Sequence, residues 1–447
     1  MKTALFALIV FVGAQLMPAP VPAASTGLTP LQLYELRISY VRLTDEFYQK
    51  IEPQALLDGA FSRLNDDLDQ KGIGHSSLHR PHATNNDRSD LHEFVDEVQA
   101  AYALANGKLT AQQATYDAIA GLFASAKDRY TVFLTPKEYS EMTRGLTGGE
   151  GFGGVGLVIG SETTGEKRAL VKWVAQGAPA DRAGILQGDV MVTIDGKPTA
   201  GMETKDISSL LRGNPGTKVR LEIERGGAAL PDPIDIVRRE VHTPTVFAKT
   251  LTGNIGFVAI TVFGQSTSDE LARALGKFEK AGVAGYVLDL RDNGGGYLDS
   301  AIDVSSKFIA TGPIVRVTER GGTTKQYDAD NAAIAPKPLV VLVNKNTASA
   351  SEITSGAIQD RGVGTLVGTR TFGKGVVQSI FPLPDGSAIK ITTARYYTPR
   401  GRDINSIGIQ PDITTEENPS PEPGEPTKDA QLQAALNFLQ QKVARTN

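Results

Sequence analysis

The chain has 447 residues, enough for two or three domains of ordinary size, with 21% charged residues and a formal net charge of -4. That balance offers no basic field for gripping nucleic acid and argues against it as a partner. There are no cysteines, which removes disulfides, thiolate catalysis, cysteine zinc sites and a cysteine-linked lipid anchor together.

Met1-Lys2 is a short positive start, Ala4 to Leu16 is apolar, and Pro18 to Ala24 ends in small residues. This reads as a secretory signal peptide over 1–24, cleaved after Ala23 or Ala24. The apolar run falls short of the roughly 20 residues of a membrane span, and the prolines after it break a helix. An uncleaved anchor is the alternative. The expected destination is the periplasm or the outside of the cell, free or membrane-associated.

Residues 25–148 read as an N-terminal helical region, with apolar positions near helical spacing over Leu31 to Ile51. A polar stretch from Gly72 to Asp90 interrupts it as a loop or insertion. Its His75, His79 and His82 have imidazole spacing for a metal but no accompanying carboxylate pattern, and no metal site is assigned to them. Residues 149–243 turn glycine-rich and then alternate as short strands (Leu157 to Ile159, Ala169 to Val174, Asp189 to Ile194, Val219 to Ile223), with one helix over Thr204 to Leu211. That pattern describes a compact β-rich domain. Over 244–414 strands and helices trade places: Ile255 to Thr261, helix Ser268 to Ala281, Gly285 to Leu290, helix Leu298 to Ile309, Leu339 to Val343, helix Ser351 to Asp360, Thr365 to Gly368. This is the signature of a layered α/β core. Residues 415–447 hold a Pro-rich linker and a terminal amphipathic helix over Asp429 to Val443.

Ser349 follows the apolar strand that ends at Val343 and precedes a helix, where free N–H groups and the helix dipole favour developing negative charge. It is either a nucleophile or an N-cap with Glu352 in the first turn. All five histidines lie before the α/β core, so a Ser-His-Asp triad cannot be built within it. The base left to a serine is a lysine made neutral by burial. Lys374, in Phe372-Gly373-Lys374-Gly375, fits that role, unless it is merely an exposed turn lysine. Gly368 to Lys374 also matches the start of the phosphate-binding pattern G-x-x-x-x-G-K-[ST], but Gly375 supplies no hydroxyl and a strand-like segment follows. Gly151 to Gly156 matches G-x-G-x-x-G on the wrong side of a strand. Gly154-Val155-Gly156-Leu157 instead suits a loop whose N–H groups hold a peptide's terminal carboxylate while the peptide adds as a strand, or else a plain hinge. Gly294 to Gly296, after a buried strand, lets backbone amides approach a reacting oxygen, or forms only a tight turn.

Together Arg129-Tyr130-Thr131-Val132-Phe133-Leu134, Gly154 to Leu157, Gly177-Ala178-Pro179-Ala180 with Gly188-Asp189, Leu288 to Arg291, Thr347 to Glu352, Phe372 to Gly375 and Gly408 to Ile413 resemble the carboxyl-terminal processing, or tail-specific, proteases. The resemblance implies a multidomain α/β chain: N-terminal helices, a PDZ-like domain and a crotonase-like ββα protease core. It implies Ser349 as nucleophile, Lys374 as base and Gln378 bonded to the lysine amine. An oxyanion hole from the N–H groups of Ala350 and Gly295 follows, with substrate C-termini held at Gly154 to Leu157. Arg212 matches an arginine that senses ligand in some members. The substrates implied are proteins or peptides with apolar C-termini, with room for an activating adaptor or self-association and no cofactor. Arg129 departs from the pattern, standing where many members carry proline. A catalytically silent PDZ scaffold that binds protein tails is the competing expectation.

Overall fold

The structure, a computed structural model, describes residues 27–147, 152–162, 167–175, 177–241, 244–416 and 429–446. The expected signal peptide and most of the Pro-rich linker lie outside the described residues. The chain divides into two compact units: residues up to Val41 with Glu52–Ala126, and Arg42–Ile51 with everything from Lys127 onward.

The first unit is helical. Pro53–Gln70 and Ala111–Ala124 cross where Gly59 meets Gly121, and a Cβ on either glycine would fall 2.4–2.5 Å from the other's carbonyl oxygen. Leu56, Leu57, Leu64, Phe94, Val98, Ile119 and Leu122 fill the interior between these helices and Asp87–Ala105. Asn86 caps that third helix by accepting the Ser89 N–H at 3.1 Å, so the polar insertion ends before Asp90. His75 meets Asp69 at 3.0 Å.

In the second unit a six-stranded sheet runs Val246–Leu251, Ile255–Ile260, Gly285–Asp289, Leu339–Val343, Thr365–Gly368 and Ile413–Thr414, parallel after its first pair. Parallel neighbours need crossover connections, here the helices Thr267–Lys280, Leu298–Ser306 and Ala350–Arg361. Alternate strand residues face two layers. Tyr286, Leu288, Leu339, Val341 and Val343 pack with those helices. Val287, Val340, Leu342 and Val367 pack under Leu432, Ala435, Leu436 and Leu439 of the C-terminal helix Ala430–Thr446. Burial on both faces explains why these strands read as continuous apolar runs.

An antiparallel sheet adjoins this core. Ala388–Tyr397 pairs with Val376–Pro382, with Pro313–Glu319 and with the short strand Val132–Leu134. That three-residue strand lies in a region whose periodicity reads as helical, and it brings Asp128 to Tyr130 beside the core. The β-rich domain has its own interior of Val171, Ile185, Met191, Ile194, Ile207, Val219 and Leu221. Edge-on packing of Trp173 against Phe247, 5.2 Å between centroids, joins it to the α/β core. Among the described residues no helix is long and apolar enough to cross a membrane.

Arg291 fastens the last helix. Its guanidinium donates to both carboxylate oxygens of Asp289 (2.9 and 2.7 Å) and of Asp429 (2.9 and 2.7 Å), while Asp429 Oδ1 also caps the helix by accepting Leu432 N–H at 2.9 Å. Removing one member of a buried charge cluster strands the others at a cost of about 3–5 kcal/mol. Arg291→Met is expected to lose that much in urea-monitored unfolding, whereas an exposed change such as Arg63→Met falls within about 1 kcal/mol.

Candidate active site

Every loop that matters here leaves the C-terminal end of a parallel strand, the edge where open α/β sheets place their ligands. Beyond Val343, Asn344 Oδ1 accepts the N–H groups of Asp292 (3.0 Å) and Asn346 (3.1 Å). Thr347 Oγ1 donates to Leu290 O at 2.8 Å, and Ala348 N–H donates to Asn293 O at 3.0 Å. The turn before the helix is thus stitched to the turn of the neighbouring strand. Within it Ser349 has φ 55° and ψ -118°, a left-handed setting that costs a non-glycine residue of order 1–3 kcal/mol. Ser349 occupies the N-cap position and gives its N–H to Glu352 Oε2 at 3.0 Å. Ser349 therefore takes the cap position that the sequence offered as one of its two readings.

Glu352 does more than close a cap. It is fully buried, and besides Ser349 it accepts Thr371 Oγ1–H (2.5 Å), Gly373 N–H (2.8 Å) and Lys374 N–H (2.8 Å). Burial raises its pKa and outweighs these four donors, each of which pulls it down. The buried Tyr396 hydroxyl sits between the carbonyls of Ser349, at 3.1 Å, and Lys374. One carboxylate and one phenol thus fix both the N–H and the C=O of the two residues.

Lys374 is not an exposed turn lysine. It lines a cavity of about 390 Å³ together with Ser349, Ala350, Gly295, Gln378 and Lys390. Burial, then the neighbouring charge of Lys390, lowers its pKa to about 8. Its ammonium lies 4.7 Å from the centre of the Tyr130 ring, which also carries the Arg129 guanidinium at 4.7 Å. The same loop disposes of the phosphate-binding reading. Gly373 and Lys374 give their N–H groups to Glu352, and Val376–Pro382 is a strand.

Two expected contacts take another form. Gln378 donates from Nε2 to Thr392 Oγ1 at 3.5 Å, and among the described residues no bond joins it to Lys374. Gly295 has φ +102°, and a Cβ there would fall 2.8 Å from both Ala350 N and Ser349 Cβ, so only glycine fits. Its N–H, however, donates to Asn293 Oδ1 at 2.8 Å and is free for a substrate oxygen only when that bond opens. Ala350 opens the helix, where N–H groups have no intrahelical acceptor.

In the β-rich domain, Gly154 to Ile159 form one wall of a groove of about 230 Å³, faced by Thr204, Ser208 and Leu211. Gly156 has φ +80°, and a Cβ would lie 2.3 Å from that of Ala178. Arg212 lines the groove where the helix Thr204–Leu211 ends. Buried Arg238 holds that end by donating to Leu211 O (3.0 Å) and Leu210 O (2.9 Å).

Residues 254–415 match peptidase family S41 and residues 170–225 match the PDZ domain. The carboxyl-terminal-processing protease of Synechocystis sp. is 37% identical over 339 residues, 74% of this chain and 78% of that protein. This chain belongs to that protease family. The carboxy-terminal processing protease CtpA of Bacillus subtilis is 36% identical over 300 residues, 67% of this chain and 63% of that one. The solved structure of a photosystem II D1 C-terminal processing protease aligns over 92% of this chain and 98% of that chain, at 28% identity and a TM-score of 0.48. As a serine peptidase of the C-terminal processing family, the chain carries a PDZ domain beside its protease domain, and the mixed helix-and-sheet fold agrees with that membership.

Sequence reading missed Tyr396, Lys390 and Asp128 as members of this site, and met Glu352 only as part of a motif. Glu352→Gln puts an amide NH₂ where four donors converge. We expect a loss of about 2–4 kcal/mol in urea unfolding and at least a hundredfold fall in turnover, since displaced reacting groups cost that much. Wild-type turnover with lowered stability would limit Glu352 to a structural part.

Proposed function

We propose that this peptidase cuts proteins near their C-termini through a Ser349/Lys374 dyad, after its PDZ domain has captured the tail. The observation that carries the reading is that Ser349 and Lys374 line one cavity, with Lys374 half-buried and its pKa lowered to about 8. Neutral Lys374 takes the Ser349 hydroxyl proton as the oxygen attacks the scissile carbonyl. The oxyanion meets Ala350 N–H and, once Asn293 releases it, Gly295 N–H. The lysine then protonates the leaving amine, giving an acyl-enzyme, and afterwards activates the water that releases it. Gln378, next along the cavity wall, orients the amine when it turns from Thr392. No metal or organic cofactor enters these steps.

A substrate tail adds as a strand beside Leu157–Glu162, its carboxylate in the Gly154 to Leu157 loop and its apolar last side chain in the groove by Ile159 and Leu211. Arg212 reports occupancy from the end of the facing helix. The segment 1–24 exports the enzyme to the periplasm or beyond. An activating adaptor and self-association are both compatible with this arrangement.

Ser349→Ala and Lys374→Ala are each expected to abolish cleavage of an unfolded protein with an apolar C-terminus while leaving melting unchanged within a few degrees. For the wild type, activity should rise with pH through about 8, because protonation of Lys374 removes the base. About a tenth of the enzyme is active at pH 7. A lysine variant that cleaves at the wild-type rate overturns the dyad. If wild type binds tails but never cleaves, the silent scaffold is the better description.

Amidating the substrate's C-terminus is expected to raise KM at least tenfold with kcat little changed, since the tail contact lies away from the scissile bond. Equal KM for the amide and the free acid overturns carboxylate capture.

A further inference from the structure

Lys390 is a second lysine in the active-site cavity, and the mechanism above gives it no task. It projects from Ala388–Tyr397, in register with Val132 on one side and Ile380 on the other, and lines the same cavity as Lys374. Its side chain is half-buried and, among the described residues, makes no hydrogen bond and no ion pair. The carboxylate that attracts it, Asp128, is already committed: it accepts the Thr131 hydroxyl at 2.8 Å, the Tyr130 N–H at 3.3 Å and the Thr392 hydroxyl. An ammonium placed by a rigid strand inside a catalytic cavity and left without a partner acts on whatever other charge shares that space.

The other charge is Lys374. Around it stand Asp128, Arg129 and Tyr130 from the loop before Val132–Leu134, Glu352 from the helix Ala350–Arg361, and Lys390 and Tyr396 from the strand Ala388–Tyr397. Asp128 and Glu352 favour the protonated amine, while Lys390 and, more weakly, Arg129 oppose it. Lys390 is itself drawn toward its neutral form by burial, but Asp128 works to keep it charged.

We propose that Lys390 is a positioning residue for the reaction: its ammonium, facing Lys374 in the active-site cavity, holds Lys374 in the neutral form that can accept the Ser349 proton. This rests on the reading of Lys374 as the base. A cation beside a lysine is a recognised way of making an amine nucleophilic or basic near neutrality, and like charges that share one cavity separate their titrations by about one pH unit.

Competitive acetylation of the full-length chain with trace acetic anhydride, read at Lys374 by mass spectrometry from pH 6 to 10, measures the titration of Lys374 whether or not it is catalytic. In Lys390→Met and Lys390→Gln the midpoint is expected to rise by about one unit, a roughly tenfold loss of neutral amine at pH 7. The ascending limb of kcat/KM should move by the same amount, with activity at pH 10 near the wild-type value. Lys390→Arg should return Lys374 to its wild-type titration. Lys390→Gln keeps a polar end in the cavity and carries the test if the methionine variant does not fold. A Lys374 midpoint that stays in place in both neutral variants overturns the proposal. If the midpoint moves and the rate limb does not, the role in the reaction falls because Lys374 is not the base, and the fault then lies with the dyad rather than with Lys390.

Discussion

The buried Glu352 carboxylate is the constraint on which the rest of the site depends. Ser349 and Lys374 belong to different strand-to-helix and strand-to-strand turns, each free in principle to settle where its own loop prefers. Glu352 removes that freedom by accepting the N–H of both, and Tyr396 repeats the restraint from the carbonyl side. Taking a carboxylate out of water costs several kcal/mol, and its four donors offset part of that cost while burial still leaves its pKa raised. The exchange makes sense under the proposed dyad, whose two members must be held to a fraction of an ångström. It also makes sense of the left-handed Ser349, a conformation that survives only where its surroundings over-determine it.

The sheet supplies the platform for that clamp. Because its strands run parallel, their C-terminal turns all emerge on one edge, and the glycine turn after Gly285–Asp289, the serine turn after Leu339–Val343 and the lysine turn after Thr365–Gly368 arrive side by side. Such a sheet must be covered on both faces. Here the second cover is the C-terminal helix, reached through a long linker and pinned by Arg291 at the strand whose next turn carries Gly295. The same Arg291 that reads in sequence as part of a motif beside the site therefore acts on the far face.

Most of the parallel core was legible because strands buried on both faces write themselves as apolar runs: Leu339–Val343 and Thr365–Gly368 fall where the sequence puts them. The antiparallel layer was harder. Val132–Leu134 is three residues long inside a helical context, and Pro313–Glu319, Thr324–Asp328 and Ala388–Tyr397 mix polar with apolar positions. Yet Ala388–Tyr397 supplies Lys390, Thr392 and Tyr396, so the missed strand is the one that finishes the cavity. The local motifs singled out Ser349, Lys374, Gln378 and Gly295 as candidates. They could not tell that Gln378 faces Thr392 on the neighbouring strand or that the Gly295 N–H is taken by the side chain of Asn293 within its own turn, since both facts depend on how side chains turn in the folded chain and not on motif spacing.

The charge balance of the cavity bears on how a lysine would serve as the base that the proposed dyad requires. An amine with its ordinary pKa near 10.4 would be almost wholly protonated at neutrality. Burial is the largest force acting against that, and it is helped by Lys390 and Arg129 and resisted by Asp128, Glu352 and the electron-rich face of Tyr130. Stronger depression would leave more of the amine neutral but make it a weaker base toward a serine hydroxyl, and efficiency in proton transfer follows both quantities. With the lysine at about 8, a tenth of it is neutral at pH 7 and each neutral copy keeps much of its basicity. Under the proposed dyad, the two carboxylates are as much a part of the base as the cations that oppose them: they set how far the lysine is pushed.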